Sequence, residues 1–599
     1  MIDNAHVLDI LFGKGNTLWR IETRNEAMLL MRALYKSEAG SREKITAAIL
    51  TGPPPGPLGL DGDEGLDWDI FQMLSFLESE HLPLLAEAQR KLGEIRQQNP
   101  EWQSNKDNSA TIWTEAGRGP ENITTEVIRS VEPEDIPNKI ATFKDSWEKS
   151  RRGFCEGIGV SIARDPEWGR RVMNALQLNV ETLPLDSINP ILWGIRATLT
   201  DNTIKIEKED VVALLNKFGS MIDSRPLPAM WTSLPSLLRQ VVGKYELSIA
   251  SWTEIGIRLA SLFEGFDYER NEEREPIEWH QRAINHPYGD IAELFLNLAQ
   301  QQVNIMLREE KPLSLDPQAE HFFFQVLNNY NVGSRYGLCL LAQRLRWLEA
   351  ISRDFAEVLL SAFDWAQGGE RPLVAWSGYL WSNTLSRSLV DSFDRTYVLA
   401  AKRYAEFATG ERIGLSRHVS AVFWFDPQRV DLLCEFASAV DSQLRVELLR
   451  GWKRHLQNAQ EENVRRFYDA ILFPYWDWCA RQDFFRGDSA DKERFGFWEL
   501  VPLSFASFPE ARRRAVERRP STVDHLGLLV RDAVNESTLR YPDDLTELLI
   551  AVLECDPHPQ WQDKDWREGW HVLKNSGAKR LTDLENALAK KGVPLERRE

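Results

Sequence analysis

The chain has 599 residues and a net charge of −18, with 90 Asp and Glu against 72 Lys and Arg. Because phosphate neutralisation needs a surplus of cations, this charge argues against general nucleic-acid binding. Hydrophobic residues make up 43% and charged residues 27%, which is typical of a folded chain, and the length exceeds what one hydrophobic core usually serves.

The N-terminal segment, residues 1–102, carries helical apolar spacing interrupted by a Pro- and Gly-rich loop at 51–67. Its first ten residues lack the basic and apolar pattern of a secretory signal, and no apolar stretch of the chain reaches the roughly 18 residues of a membrane span. The five cysteines occur singly, as in proteins of a reducing compartment. We therefore expect a cytoplasmic protein that does not bind membranes.

A polar, aperiodic stretch at 103–126 is predicted to be a linker. After it we predict a central helical repeat array over 127–425, and then a C-terminal helical segment over 426–599. The boundary between the last two follows the weak break at "WFDPQ", which begins at Trp424.

Apolar residues recur at helical spacing through most of the chain, and period-two strands flanked by turn residues are absent from the sequence. One such helical stripe near the C-terminus consists of Leu545, Leu548, Leu549, Val552 and Leu553. The pattern predicts an all-α protein, an extended α-solenoid of degenerate HEAT-like helix pairs in which each pair buries its apolar face against its neighbours. No strict sequence repeat is visible.

The stretch "AINHPYGDIAELFLNLAQ", which begins at Ala283, holds the best cluster of chemically active residues. Pro287 suits the first turn of a helix, and Asp290 followed by Glu293 has the spacing of a capping box. The alternative is an enzyme with an unrecognised site between helices, possibly a metal site, built from His280, His286, Asp290 and Glu293. A paired zinc spacing such as HExxH is missing, and so are the phosphate-binding, nucleophile-elbow and kinase signatures. No cofactor and no catalytic residue are predicted.

From about residue 275 the sequence resembles a known family. The stretches that carry the likeness are "INHPYGDIAELFLNLAQQ", "NVGSRYGLCLLAQRLRWLEAISRDFAEVLLSAFDW", "PLVAWSGYLW" and "TYVLAAKRYAE". They resemble the helical C-terminal region of large bacterial antiphage defence proteins, the STAND-type NTPases and sirtuin-effector relatives. The upstream stretches "GLDWDIFQMLSFLESE" and "FCEGIGVSIARDPEW" resemble earlier parts of the same region, and with them the likeness covers, loosely, about two thirds of the chain.

In that family the helical region senses a phage component or holds the assembly together, while a separate domain performs catalysis. The resemblance implies a non-enzymatic sensor or scaffold subunit whose partner is a protein, either a phage component or a companion effector or NTPase subunit. Large aromatic side chains dominate interface energies, so Tyr288, Trp376, Tyr379 and Trp381 are predicted as exposed partner-binding residues. A host scaffold unrelated to defence remains an alternative.

Overall fold

A computed structural model describes residues 31–36, 39–51, 70–71, 73–78, 80, 82–98, 125–143, 151–200, 207–244, 249–267, 276–427, 429–486, 490–521, 527–559 and 563–595. Within these ranges every regular element is a helix and no strand occurs, which confirms the predicted all-α class with helical repeats. The chain divides into two compact units, one of residues 1–128 with 143–154, the other of residues 129–142 with 155–599. The predicted linker at 103–126 lies almost wholly outside the described residues.

The first unit contains short helical stretches at 31–36, 70–71 and 73–78 and the helices α1 (Ala39–Thr51) and α2 (Ala86–Gln98). In α2, the buried residues Ala88, Leu92 and Ile95 fall on one face at helical spacing. They pack with apolar residues from the other stretches into one core that includes Tyr35 and Phe71.

The chain passes between the units three times: at 128/129 within α3 (Thr125–Arg129), at 142/143, and at 154/155 within α5 (Arg151–Arg164). The second unit contains the remaining helices. In chain order they are α4 (Ile136–Thr142), α6 (Pro166–Leu178), α7 (Ile188–Thr200), α8 (Lys208–Ser224), α9 (Pro228–Trp231), α10 (Leu234–Lys244), α11 (Ile249–Phe263), α12 (Trp279–Asn285), α13 (Pro287–Arg308), α14 (Pro317–Asn328), α15 (Val332–Gln343), α16 (Leu345–Ile351), α17 (Arg353–Ser361) and α18 (Arg371–Leu380).

The unit continues with α19 (Arg387–Asp391), α20 (Tyr397–Lys402), α21 (Thr409–Phe425), α22 (Val430–Ala439), α23 (Ser442–Leu456), α24 (Glu461–Phe467), α25 (Phe473–Cys479), α26 (Asp491–Trp498), α27 (Phe508–Glu517), α28 (Gly527–Ala533), α29 (Pro542–Cys555), α30 (Asp563–Ser576) and α31 (Leu581–Lys590). Residues 426–599, predicted as a separate segment, thus belong to the same compact unit as the array.

The helices of the second unit stack in two series. In the first series each helix packs on the next in the order α7, α10, α13, α15, α18, α21, α23, α26, α27, α29 and α31. The second series includes the neighbouring pairs α6 with α8, α14 with α17, α20 with α22, and α22 with α25. Each helix therefore buries its apolar face mainly against its sequence neighbours, the arrangement of a helical-repeat protein.

Glycines mark successive interfaces of the first series. A Cβ on Gly378 would overlap the backbone of Cys339 on α15, and one on Gly414 would overlap the backbone of Leu380. A Cβ on Gly451 would overlap the side chain of Ser420. These three glycines follow one another at intervals of 36 and 37 residues. They indicate a degenerate repeat that apolar spacing alone does not reveal.

A buried ion pair joins α23 to α26. Arg445 and Glu493 form two hydrogen bonds, Nε to Oε2 at 3.1 Å and Nη2 to Oε1 at 3.0 Å. The guanidinium also donates to the carbonyl of Ala437 and lies 3.8 Å from the ring centroid of Phe484. Because both charges are desolvated, loss of one partner would leave the other buried and uncompensated, which is strongly destabilising.

Candidate partner-binding surface

The stretch around His286 is the capped start of α13. His286 is the N-cap: its Nδ1 accepts a hydrogen bond from the backbone N–H of Tyr288 at 3.1 Å, and its Nε2 donates to the carbonyl of Phe266 at 3.0 Å. Burial lowers the pKa of His286 to about 4, so the ring is neutral near pH 7, as this pairing requires. The helix begins at Pro287 as predicted, but its cap is His286 and not Asp290.

Both carboxylates of the stretch pair with one arginine of α10. Arg239 Nε lies 3.2 Å from Oδ1 of Asp290, and the same guanidinium contacts Glu293. Burial raises the pKa of Asp290 to about 6, while the positive charge of Arg239 opposes that rise. These contacts hold α10 against α13, which is a structural role for both acids.

His280 lies in α12 and is 8% exposed. Burial lowers the pKa of His280, and the neighbouring Gln343 amide favours its protonated form, although neither ring nitrogen has a hydrogen-bond partner of good geometry. Across the described part of the chain, no three His, Cys, Asp or Glu side chains lie close enough together to hold a metal ion. His280, His286 and Asp290 are therefore not assembled into a set of ligands.

Three of the four aromatic side chains predicted to be exposed are buried, so that expectation was wrong for them. Tyr288 is 3% exposed, and Trp376 and Tyr379 are inaccessible to solvent. Trp376 and Tyr379 lie on α18, which packs against α15 and α21, and its residues from Val374 to Leu380 are all buried. A helix covered on several sides directs its aromatic residues into the core whatever their position on the helical wheel.

Trp381 is the one member of the four that reaches the surface, with 42% of its side chain exposed. It is the C-cap residue of α18. Its indole stacks on the His280 ring, with the centroids 4.8 Å apart, and a Cβ on Gly410 would lie only 2.9 Å from the indole. The ring is thus held flat against α12 and the first turn of α21.

Two exposed arginines lie beside the helices that flank α18. Arg344 follows the last residue of α15, and Arg417 is on α21. Neither has a carboxylate within 4 Å among the described residues, whereas many other arginines of this acidic chain are ion-paired. We call the exposed face of the Trp381 indole the Trp381 surface.

A buried chain of hydrogen bonds fixes the loop that carries Trp381. The backbone N–H of Ser386 donates to Tyr379 Oη at 2.8 Å, and the two hydroxyls of Tyr379 and Tyr397 are 2.8 Å apart. Tyr397 Oη lies 3.4 Å from Nδ1 of His418, and His418 Nε2 lies 2.8 Å from the carbonyl of Ser382.

The donor of each hydrogen bond follows from the groups at the two ends of the chain of bonds, the backbone N–H of Ser386 and the carbonyl of Ser382. A carbonyl can only accept, so His418 Nε2 carries the proton and Nδ1 accepts from Tyr397. Tyr397 must then accept from Tyr379, which accepts from the Ser386 N–H. Burial lowers the pKa of His418 to about 4, which keeps the ring in this neutral form. The network holds residues 382 and 386 in place, and Trp381 with them.

A second buried polar group, the carboxylate of Glu411, lies in the first turn of α21. Its Oε2 accepts from the backbone N–H of Ala408 at 3.0 Å at the start of α21. The Ser377 hydroxyl and the backbone of Trp279 also lie near the carboxylate, although among the described residues neither Ser377 Oγ nor Glu411 Oε1 has a hydrogen-bond partner of good geometry. Burial raises the pKa of Glu411 to about 7, and the negative charge of Glu278 adds to the rise. The Ala408 N–H and the other neighbouring polar groups oppose it. Sequence reasoning missed Glu411 because Ala408 replaces the Ser or Thr of a usual capping box.

Comparison with known proteins gives no assignment, since no family model and no curated sequence matches the chain. Among the described helices, none combines the length and the apolar character needed to cross a membrane.

Proposed function

We propose that this protein is a non-enzymatic helical-repeat subunit of a bacterial antiphage defence system, acting in the cytoplasm as a sensor or scaffold that binds a protein partner. The observation that carries the proposal is the Trp381 surface: an indole held in place by buried contacts and left partly open to solvent. It ends a helix whose two neighbours, α15 and α21, bear exposed arginines that have no ion-pair partner among the described residues. Trp and Arg are the residues that most often dominate the binding energy of protein interfaces.

Two further features support the proposal. Helices α12, α13, α15 and α18, which lie in the stretches that resemble the defence proteins, pack on one another, and Trp381 stacks on His280 of α12. The chemically active residues of the same region, His286, Asp290 and Glu411, act as helix caps or ion-pair partners, so the region is built to hold a shape. A rigid support lowers the entropy cost of binding.

The test is affinity purification of the tagged chain from its host, with and without phage infection. Wild type, Trp381→Ala and Phe425→Ala are compared; Phe425 is the matched control, an aromatic residue of the same unit that is 71% exposed at the end of α21. We expect a phage protein to co-purify with the wild type and Phe425→Ala on infection, and to be reduced at least tenfold with Trp381→Ala.

Thermal unfolding of the three proteins shows whether Trp381→Ala is folded before the comparison is interpreted. A partner that is a host protein present with and without infection would replace the sensor role with a scaffold role. Binding of the phage protein by Trp381→Ala at wild-type level would show that the partner uses another surface.

A further inference from the structure

Four helices of the second unit, α5, α6, α7 and α8, enclose a cavity of about 250 Å³. Its inner wall is apolar and is formed by the buried side chains Ile162, Met173, Leu199 and Val211. An apolar cavity of roughly 150 Å³ already admits benzene, so this cavity has room for an aromatic ring or a medium-length alkyl chain.

The helices that form the mouth, α6 and α8, pack on one another, and two pairs of contacts relate positions that follow one another in the same order on both segments. Lys217 Nζ on α8 lies 3.0 Å from Oε1 of Gln177 on α6. Just beyond the C-terminal ends of both helices, Arg225 Nη1 donates to the carbonyls of Val180 at 2.7 Å and Leu183 at 2.6 Å. The two contacts fix the register, so residues seven positions earlier on each helix, Asp210 and Arg170, also lie at similar heights.

Four polar side chains line the mouth: Arg170, Asn174, Asp210 and Lys217. The register places Arg170 and Asp210, whose charges are opposite, at one end of the mouth. Lys217 lies two helical turns, roughly 10 Å, from Asp210 on the same helix, and Asn174 is one turn from Gln177, beside Lys217. This second end of the mouth therefore carries a net positive charge.

The cation at that end retains donors for a ligand. Lys217 has no carboxylate within 4 Å among the described residues, and its one hydrogen bond there goes to the neutral amide of Gln177. An ammonium has three N–H donors, and the Asn174 amide supplies two more. A carboxylate placed between them would receive charge-assisted hydrogen bonds, which are stronger than those between neutral groups.

We propose that this cavity binds a small amphipathic carboxylate, with its apolar body against Ile162, Met173, Leu199 and Val211 and its carboxylate at Lys217 and Asn174. The site lies apart from the Trp381 surface in the sequence and does not depend on the proposed partner. Ligand sites are commonly apolar cavities with a few convergent polar groups that set the ligand's orientation, and this cavity has both features.

Calorimetry with octanoate, octanol and octylammonium tests the proposal on the intact chain. We expect octanoate to bind most tightly. Lys217→Met should weaken octanoate binding about tenfold, or roughly 1.4 kcal/mol, and leave octanol binding unchanged. Arg164→Met is the matched control, because Arg164 is an exposed cation at the end of α5 that does not line the cavity.

A second pair of variants tests the location. Ala213 is exposed and lines the mouth, so Ala213→Trp should abolish binding of all three compounds. Asn216→Trp, at an exposed position of the same helix that does not line the cavity, should bind like wild type. Thermal unfolding confirms that each variant is folded. Tighter binding of octylammonium than octanoate, no binding at all, or undiminished octanoate binding by Ala213→Trp would each overturn the proposal.

Discussion

The imidazole of His280 lies stacked against the indole of Trp381, with ring centroids 4.8 Å apart and 17° between the planes. Trp381 thus contributes to the burial that lowers the pKa of His280. Trp381→Ala admits water to the imidazole, so we expect the pKa of His280 to rise towards its usual range. Histidine-labelled NMR titration measures it. Phe425→Ala should leave the value unchanged, and an unchanged value in Trp381→Ala would show that the indole does not shield the ring.

Gly378 is predicted to be intolerant of any side chain. A Cβ there would overlap the backbone of Cys339, and a backbone neighbour cannot rotate away as a side chain can. Gly378→Ala should lower the free energy of unfolding by about 1–3 kcal/mol, as overpacking commonly does. Denaturant unfolding followed by tryptophan fluorescence measures the change.

The matched control is Gly219→Ala on α8, where the nearest atom to a new Cβ is Cγ1 of Ile255 at an ordinary 3.8 Å. Since alanine favours helix more than glycine by roughly 0.5–1 kcal/mol, this variant should be neutral or slightly more stable. Equal stability of the two variants would contradict the proposed close backbone contact at Gly378.

Glu411 is predicted to make the stability of the second unit depend on pH. Burial raises its pKa from an ordinary 4.5 to about 7 in the folded protein, so between these values the folded state binds more protons than the unfolded state. The free energy of unfolding should therefore fall as pH rises from about 4.5 to about 7, by an amount on the order of 3 kcal/mol.

Glu411→Gln removes the titrating carboxyl group and keeps a side-chain oxygen that accepts from the N–H of Ala408. Denaturation of both proteins across the window isolates the contribution, because other titrating groups are common to both. The wild type should lose stability relative to Glu411→Gln as pH rises. A constant difference between the two proteins from pH 4.5 to pH 7 would show that the pKa of Glu411 is not raised.

The sequence was sufficient for the fold class because apolar spacing reports which face of a helix is buried. The predicted stripe of Leu545, Leu548, Leu549, Val552 and Leu553 is buried in α29. The period of the repeat was missed, since its most regular mark is one glycine in each of α18, α21 and α23 that faces the preceding helix, and such glycines are recognisable only when the facing helix is known.

The candidate site was predicted less well, for two physical reasons. The exposure of a side chain depends on which other helices cover its own helix. No feature of the local sequence therefore distinguishes Trp376 and Tyr379, which are buried, from Trp381, which is not. The nearly continuous apolar run around them was a usable signal, because a helix that is hydrophobic all round is generally buried. The capping by His286 and Glu411 was missed because neither follows the usual pairing of residue types.

The glycine contacts at intervals of 36 and 37 residues have a consequence for how such a chain can change in length. Each interface between successive helices is completed by residues of its two immediate neighbours, so the insertion or deletion of one whole helix pair would create a single new junction and leave every other junction intact. A lineage could lengthen or shorten this protein by one such module at a time, and thereby move distant surfaces relative to one another without redesigning a core.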